Sequence, residues 1–251
     1  MNFYTFGPVA VVLDAAYWLV TNLTTLLSPV AGELAAALAI VVLTIIVRTA
    51  LIPVGISQVR AEYTRRRIAP LLQNLQKRYK KNPEVLARKT TELYAAEKAS
   101  PFAGMLPALA QAPVLSIIYG LFILATIGDH ANDLLSHNIL GAALGQSLFA
   151  GLAWPSVLVY VVLLAVIAVV AVLSRRANMR FAPLPADGPM QGFSRVLSWM
   201  PLITVVFAAF VPLAATLYLA VTTTWTAVER SVLRARLNPG AADASASALP
   251  A

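Results

Sequence analysis

Residues 34–56, LAAALAIVVLTIIVRTALIPVGI, form an apolar stretch with one strongly basic side chain, Arg48. A helix needs about 20 such residues to cross a bilayer. In the whole chain 59% of the residues are hydrophobic and 12% are charged, whereas soluble domains carry about 25% charged residues. Most of the surface therefore faces something other than water, and the sequence predicts an all-α polytopic membrane protein.

Four further apolar stretches follow this first predicted span. Residues 102–127 form the second, and their internal prolines are tolerated where neighbouring helices satisfy the freed carbonyls. Residues 156–173 are almost purely aliphatic, whereas 196–211 and 213–228 are short and meet at Pro212. The last two therefore predict a tight hairpin, and the sequence predicts five transmembrane helices.

Basic residues are confined almost entirely to three segments. Residues 57–100 hold eleven Lys and Arg against four Glu, 128–155 hold no Lys or Arg, and 174–195 hold four. The third basic segment, 229–251, is predicted to be a disordered tail. Lys and Arg accumulate on the cytoplasmic side of membrane proteins. With five spans all three basic segments fall on that side, which predicts an outer N-terminus and a cytoplasmic C-terminus.

Residues 1–33 are predicted to form an outer amphipathic helix with its lead-in. The segment 9–27 is apolar enough to span a membrane, but it carries Asp14 and Asn22. Polar side chains on an otherwise apolar helix favour a position in the membrane surface. A sixth span is the alternative, and it would place the N-terminus in the cytoplasm without changing the other spans.

Residues 57–100 predict a cytoplasmic helical hairpin. Apolar residues recur at mostly three- and four-residue spacing in its first half, as in an amphipathic helix. Asn82 and Pro83 are a typical N-cap and first residue of a second helix. A solvated loop that merely follows the charge topology is the alternative. The basic residues predicted to dock partners are Arg65, Arg66, Arg67, Lys77, Arg78, Lys80 and Lys81.

The composition excludes several kinds of chemistry. The chain has no Cys, which excludes disulfides, thiolate metal sites, cysteine nucleophiles and lipid-modified cysteines. His130 and His137 share a polar stretch with Asp129 and Asp133, but their spacing matches no metal motif. A solvated loop is therefore predicted, without metal or cofactor. The basic segments match no RNA-binding motif, so no specific nucleic-acid sequence is expected as a partner.

Arg48 is the residue on which the functional reading depends. A charge within a spanning helix costs roughly 2.5–3.5 kcal/mol on insertion scales, and such residues usually face a partner or a water-filled cavity. The other predicted spans contain no Asp or Glu. The pattern favours a wet cavity open to the cytoplasm, with Thr44 one turn away on the same face. If Pro53 ends the helix early, Arg48 snorkels to the surface instead.

Three stretches resemble the YidC-type membrane protein insertases, in the short form without a large extracytoplasmic domain. Residues 41–54, VVLTIIVRTALIPV, resemble the first core helix, whose groove arginine matches Arg48. Residues 69–122 resemble the hairpin and the span that follows it, and 193–221, FSRVLSWMPLITVVFAAFVPLAATLYLAV, resemble the closing hairpin. The resemblance covers 39–229, most of the chain.

The resemblance implies five core spans, an outer amphipathic helix, a cytoplasmic hairpin and a hydrophilic groove. It implies an insertase or chaperone of the bacterial plasma (inner) membrane, with no covalent catalysis. Nascent membrane proteins would enter the groove and leave for the lipid bilayer along the second and fourth spans. Further implied partners are the ribosome, targeting factors and the Sec translocon. The predicted groove residues are Arg48, Thr44, Gln111, Tyr218 and Thr222.

The fifth predicted span departs from the family. Leu213 and Ala214 stand where Ser and Gly often follow the matching proline, and Leu219 replaces a frequent second tyrosine. These departures predict a less polar groove face. Two other functions stay open: a small anion channel or transporter that uses Arg48 for selectivity, and a structural protein whose hairpin binds a cytoplasmic partner. The lack of inverted repeats argues against the transporter.

Overall fold

The computed structural model describes residues 4, 6–100, 106–150, 154, 156–181 and 198–238. Most of these residues are helical, and two short strand pairs lie among them, which confirms the predicted all-α class. Parts of the predicted second span (102–105), fourth span (196–197) and tail (239–251) lie outside the described residues. The helices are α1 (Gly7–Ala31), α2 (Ala35–Ala50), α3 (Ile52–Arg78), α4 (Pro83–Ala96), α5 (Leu106–Ile123), α6 (Ser156–Phe181), α7 (Met200–Ala208) and α8 (Leu213–Arg236).

The strand pairs lie in the connection between α5 and α6. In the first, β1 (Thr126–Ile127) pairs antiparallel with β2 (His130–Ala131). In the second, β3 (Asn138–Ile139) pairs antiparallel with β4 (Ala142–Ala143). Among the described residues, no group of three or more His, Cys, Asp or Glu is arranged to hold a metal ion.

Two stretches of the described chain are long and apolar enough to cross a membrane. They are Gly7–Ala50, which comprises α1 and α2, and Ser156–Phe181, which is α6. Gln111–Ile123 in α5 is a shorter apolar helix. Large apolar side chains such as Val161 and Val169 are exposed on α6, as expected where lipid replaces water. The count of five spans stays a prediction.

The chain divides into two units, which are described separately. The first comprises Met1–Leu51, Ala112–Ser174 and Met200–Ala227. The second comprises Ile52–Gln111, Arg175–Trp199 and Val228–Ala251.

In the first unit α1 packs against α2. The chain leaves α1 at Gly32, whose φ of +52° lies in the region that glycine adopts without a steric penalty. One side of α1, with Leu13 and Val20, is buried in the same core as Ile40 of α2. The polar residues Asp14 and Asn22 lie on exposed positions of α1. The helix thus has one packed side and an exposed side on which these polar residues stand among apolar ones such as Trp18 and Leu26.

The connection between α5 and α6 is tied to the helix ends around it. The Tyr160 hydroxyl on α6 donates a hydrogen bond to the Gln146 carbonyl, and the Val211 carbonyl oxygen lies 3.3 Å from the same hydroxyl. The Gln146 carbonyl also accepts a hydrogen bond from the Leu213 amide, at 2.9 Å. These bonds fix the first residue of α8, where helix amides have no partner within the helix.

Asn132 terminates α5 in a similar way. Its side-chain amide donates to the carbonyls of Leu121, at 2.8 Å, and Leu124, at 2.9 Å. The side chain is 5% exposed. Buried carbonyls without donors are costly, so this one residue stabilises the turn into the connection.

Replacing Asn132 with alanine is expected to destabilise the protein by about 1–3 kcal/mol, because two helix-end carbonyls lose their donor. Thermal unfolding in detergent measures the loss. The control is Asn138→Ala, at an exposed position of β3. Equal melting temperatures for the two variants would contradict the capping role of Asn132.

In the second unit α3 packs against α4. Asn82 is the N-cap of α4, because its side-chain oxygen accepts from the Val85 amide at 3.3 Å, and Pro83 is the first helical residue. Val59 and Ile68 are buried on α3. The predicted disordered tail is wrong for residues 229–236, which continue α8 as a helix. Contacts of Arg230 and Arg234 hold these last turns of α8.

Candidate functional site

Arg48 lies near the end of α2 and is 7% exposed. Its Nε donates a hydrogen bond to the Thr222 hydroxyl oxygen on α8, at 3.0 Å. Both residues belong to the first unit. α2 ends at Ala50, because Pro53 soon follows and has no amide hydrogen to continue the ladder. The early end meets the condition for snorkelling, but the side chain is buried against α8.

Thr44 precedes Arg48 by one turn on α2, and Thr222 contacts Arg48 from α8. Thr44 is 1% exposed and donates to the Ile40 carbonyl at 2.7 Å. A threonine that bonds to the preceding turn keeps its hydroxyl within a helix at little cost. Its oxygen retains capacity to accept a further hydrogen bond. Thr44 therefore places an acceptor one turn from Arg48 on α2.

Tyr218 lies one turn before Thr222 on α8 and is 4% exposed. Its ring contacts Phe122 of α5, with centroids 5.6 Å apart, and lies 6.5 Å from the Tyr119 ring. The threonines after Thr222 behave differently, since the Thr223 hydroxyl donates to the Leu219 carbonyl at 2.7 Å. Of the threonine run, Thr222 is the residue that bonds to Arg48.

The buried guanidinium brings a positive charge into this site. Its hydrogen bond to the Thr222 hydroxyl replaces part of the hydration lost on burial. Hydrogen bonds that involve an ionised group are stronger than neutral ones. A peptide carboxylate or carbonyl that reaches the site would therefore bind Arg48 more tightly than it would bind a neutral donor.

Gln111 lies in the second unit, where it is half-buried. Its side-chain oxygen accepts a hydrogen bond from the Gln58 amide of α3, at 3.3 Å. The structure thus brings Thr44, Arg48, Tyr218 and Thr222 into one unit and gives Gln111 a contact in the other. The place of Gln111 beside Arg48 stays a prediction.

The basic residues predicted to dock partners differ in their surroundings. Arg67 forms an ion pair with Glu97 at 3.0 Å, and the Arg66 guanidinium lies over the Phe181 ring at 4.9 Å. The others are exposed around the α3–α4 turn or, for Arg65, on α3. Near the turn, Arg78 lies 5.7 Å from the Tyr79 ring. The exposed residues there are Lys77, Arg78, Lys80 and Lys81.

Sequence reasoning missed a junction centred on Arg234. Its Nε donates to Glu62 at 3.0 Å, and its terminal nitrogen donates to the Asn178 side chain at 2.9 Å. The Tyr63 hydroxyl donates to the Arg234 backbone carbonyl at 2.6 Å. Arg234 and Glu62 are 172 positions apart, and no local pattern marks such a pair.

The comparisons with known proteins give consistent matches. The model of the family described as 60Kd inner membrane protein matches residues 26–240. The membrane protein insertase YidC of Clostridium perfringens is 39% identical over 83 residues, which cover 33% of this chain and 35% of the relative. The YidC of Methylobacillus flagellatus is 29% identical over 180 residues, covering 72% of this chain and 29% of the relative.

A longer match is to the YidC of Xanthomonas campestris pv. campestris, at 25% identity over 218 residues. It covers 87% of this chain and 34% of the relative. The chain thus spans about a third of the length of these curated relatives.

Proposed function

Because this chain belongs to the 60Kd inner membrane protein family, we propose that it is a membrane protein insertase. It moves nascent hydrophobic segments from the cytoplasm into the lipid bilayer, in the plasma (inner) membrane of a bacterium. The observation that carries the proposal is the buried Arg48 on α2, bonded at 3.0 Å to Thr222 on α8. The names of the relatives support the same activity.

Arg48 and its neighbours act as a polar groove for the part of a substrate that must cross or enter the membrane. A peptide group that leaves water without a partner costs about 2–7 kcal/mol. The guanidinium and the hydroxyls of Thr44, Tyr218 and Thr222 supply replacement partners. An acidic tail is favoured further because it meets a positive charge. The barrier falls without covalent chemistry, and the apolar segment then partitions into lipid.

The proposal includes five spans, built on α2, α5, α6, α7 and α8, with α1 on the outer surface. The charge distribution supports an outer N-terminus and a cytoplasmic C-terminus. The exposed Asp14 and Asn22 of α1 support a position at the membrane surface. Exposed apolar residues on α7, such as Ile203 and Phe207, suit a helix along which substrates leave. The second predicted span, on α5, forms the other half of this exit path.

The basic α3–α4 turn is proposed as the docking element for cytoplasmic partners. Lys80 and Lys81 are exposed there, and a concentrated positive charge attracts acidic surfaces over about 8–10 Å at physiological salt. The family suggests the ribosome, targeting factors and the Sec translocon as such partners. Arg66 and Arg67 have contacts within the chain and serve this role less directly.

Insertion into liposomes tests the proposal. The purified protein is reconstituted, and the insertion of a single-span substrate with a short acidic outer tail is timed against empty liposomes. Faster insertion with the protein supports an insertase. If the rates are equal and the same vesicles conduct anions, the proposal fails and the anion channel replaces it. If the rates are equal and no anion flux is seen, the structural role replaces it.

Removing the Thr222 hydroxyl is expected to slow insertion by about fivefold, since a hydrogen bond is worth roughly 0.5–1.5 kcal/mol. Thr222→Val removes the acceptor for Arg48 and keeps the branched shape, whereas Thr222→Ser retains the acceptor. The matched control is Thr223→Val, because the neighbouring Thr223 hydroxyl bonds to its own helix. Equal rates for Thr222→Val and Thr222→Ser would show that this hydroxyl does not orient Arg48.

A further inference from the structure

Two guanidinium groups of the second unit lie on one aromatic ring. The Arg66 and Arg234 guanidinium carbons are 4.9 Å and 4.5 Å from the centroid of the Phe181 ring. The Tyr63 ring meets Phe181 edge-on, at 5.1 Å. Cations over an aromatic face are attracted by the ring quadrupole. Phe181 therefore gathers positive charge from α3 and from the end of α8.

The contacting side chains of this cluster carry more positive than negative charge. Glu62 pairs with Arg234 at 3.0 Å and lies 3.7 Å from Arg230. One carboxylate thus faces the guanidinium groups of Arg230 and Arg234, whereas Arg66 joins the cluster at the Phe181 ring. Glu229, beside Arg230 in the chain, lies against Gly55. The cluster retains a net positive charge, and an anion beside it would lower the mutual repulsion of the arginines.

The three arginines differ in how far they are already engaged. The Arg234 side chain is 13% exposed and bonds to Glu62 and Asn178, so it anchors the cluster. The Arg230 side chain is 38% exposed, and its distance to Glu62 exceeds that of a hydrogen bond. Arg66 is exposed. A guanidinium has five N–H donors, and Arg66 and Arg230 therefore have donors to offer to an external acceptor.

The cluster surrounds the last residue of a helix that can cross a membrane. α6 ends at Phe181, and its 26 residues extend roughly 39 Å, about 9 Å more than the hydrocarbon core of a bilayer. Its apolar residues come first, and Arg175, Arg176 and Arg180 occupy its end. The end of α6 therefore lies at the depth of the phospholipid headgroups.

We propose that Arg66 and Arg230 bind the phosphate of an anionic phospholipid headgroup at this cluster. Arginine forks match phosphate oxygens in a bidentate manner, and basic residues at the cytoplasmic end of spanning helices attract anionic lipids. Glu62 holds Arg230 and the Phe181 ring holds Arg66, which keeps the two arginines in one cluster. This lipid site shares no residue with the Arg48 site, and it does not require that the chain be an insertase.

Native mass spectrometry of the full chain in detergent tests the site. Phosphatidylglycerol and phosphatidylcholine are titrated separately, and the occupancy of the first bound lipid is compared. The wild type is expected to prefer phosphatidylglycerol. The double variant Arg66→Gln, Arg230→Gln is expected to bind phosphatidylglycerol about 10- to 25-fold more weakly, because each basic residue contributes about fivefold to the affinity. Phosphatidylcholine binding should change little.

The matched control removes two charges from the same end of α6. Arg176 and Arg180 are exposed, and Arg176→Gln with Arg180→Gln is expected to keep most of the preference. An equal loss in this control means that only overall charge matters, and it overturns the site. If the Arg66→Gln, Arg230→Gln variant keeps the full preference for phosphatidylglycerol, the proposed site is overturned as well. Displacement of the lipid by inorganic phosphate shows that the site takes free phosphate, which overturns the lipid assignment.

A second variant covers the case in which the glutamine pair does not fold. Arg66→Lys with Arg230→Lys keeps the charge but loses the bidentate fork. It is expected to bind phosphatidylglycerol several-fold more weakly than the wild type while phosphatidylcholine binding stays the same. Unchanged affinity in this folded variant contradicts recognition of phosphate by the guanidinium groups.

Discussion

Arg48→Ala is expected to slow the insertion of a single-span substrate with an acidic outer tail by about 10- to 100-fold. A hydrogen bond to a charged group is worth about 1.5–3 kcal/mol, and about 1.4 kcal/mol changes a rate tenfold. Arg48 is 7% exposed, so surrounding water screens its charge little. The alanine variant leaves the site with hydroxyl groups alone, which stabilise an entering carboxylate far less.

Arg48→Lys separates charge from geometry in the same assay. Lysine keeps the positive charge but lacks the Nε that donates to Thr222, so an intermediate rate is expected. The matched control is Arg176→Ala, which removes an exposed arginine. This variant should insert the substrate at the wild-type rate. If both Arg48 variants match the wild type, the groove charge is irrelevant to insertion. If Arg176→Ala is as slow as Arg48→Ala, net charge explains the effect.

Arg234→Ala is expected to weaken the second unit by roughly 2–4 kcal/mol. Breaking a buried ion pair costs about 3–5 kcal/mol, whereas exposed pairs contribute about 0–1 kcal/mol. The Arg234 and Glu62 side chains are 13% and 24% exposed, which places this pair nearer the buried case. The variant also loses the hydrogen bond to Asn178 and the contact with Phe181.

Hydrogen exchange locates this second effect. Amides of residues 62–66 and 178–181 should lose protection in Arg234→Ala, whereas residues 36–43 in the first unit should not, because local opening follows local contacts. Arg236→Ala, at the exposed last residue of α8, is the control. Unchanged exchange in Arg234→Ala would mean that the junction contributes no stability. Uniform loss across both units would mean that the effect is global.

Local sequence patterns predicted much of the helical structure. Hydropathy identified the apolar stretch whose first part forms α2, and it identified the aliphatic helix α6. Both could be found from the sequence because apolar length is a property of consecutive residues. Asn82 and Pro83 marked the start of α4, because a cap acts on amides within one turn of itself. The resemblance to the YidC-type family is confirmed by the match of residues 26–240.

The end of α8 shows where local patterns fail. Residues 229–236 have no apolar periodicity strong enough to predict a helix, yet they are helical. Tyr63 and Glu62, far away in the chain, bind Arg234 and hold that turn. Tertiary contacts thus decide helicity here, as they often do where propensity is weak.

The fifth predicted span offers a similar lesson about the site. The sequence indicated a less polar face there, because leucine and alanine replace polar residues of the family. A single threonine, Thr222, nevertheless meets Arg48. Which of several neighbouring threonines makes that contact depends on how α8 is rotated toward α2, and the composition of the run carries no such information.

The order of the amino acids is enough to show that this chain is a helical membrane protein of one family, with one arginine inside an apolar helix. These properties follow from composition, from runs of consecutive residues and from motif order. Tertiary structure alone decided that Arg48 bonds to Thr222 and that Arg234 joins Glu62 and Asn178. Each of these contacts links residues from separate helices, and only the packing of those helices brings the side chains within hydrogen-bond distance.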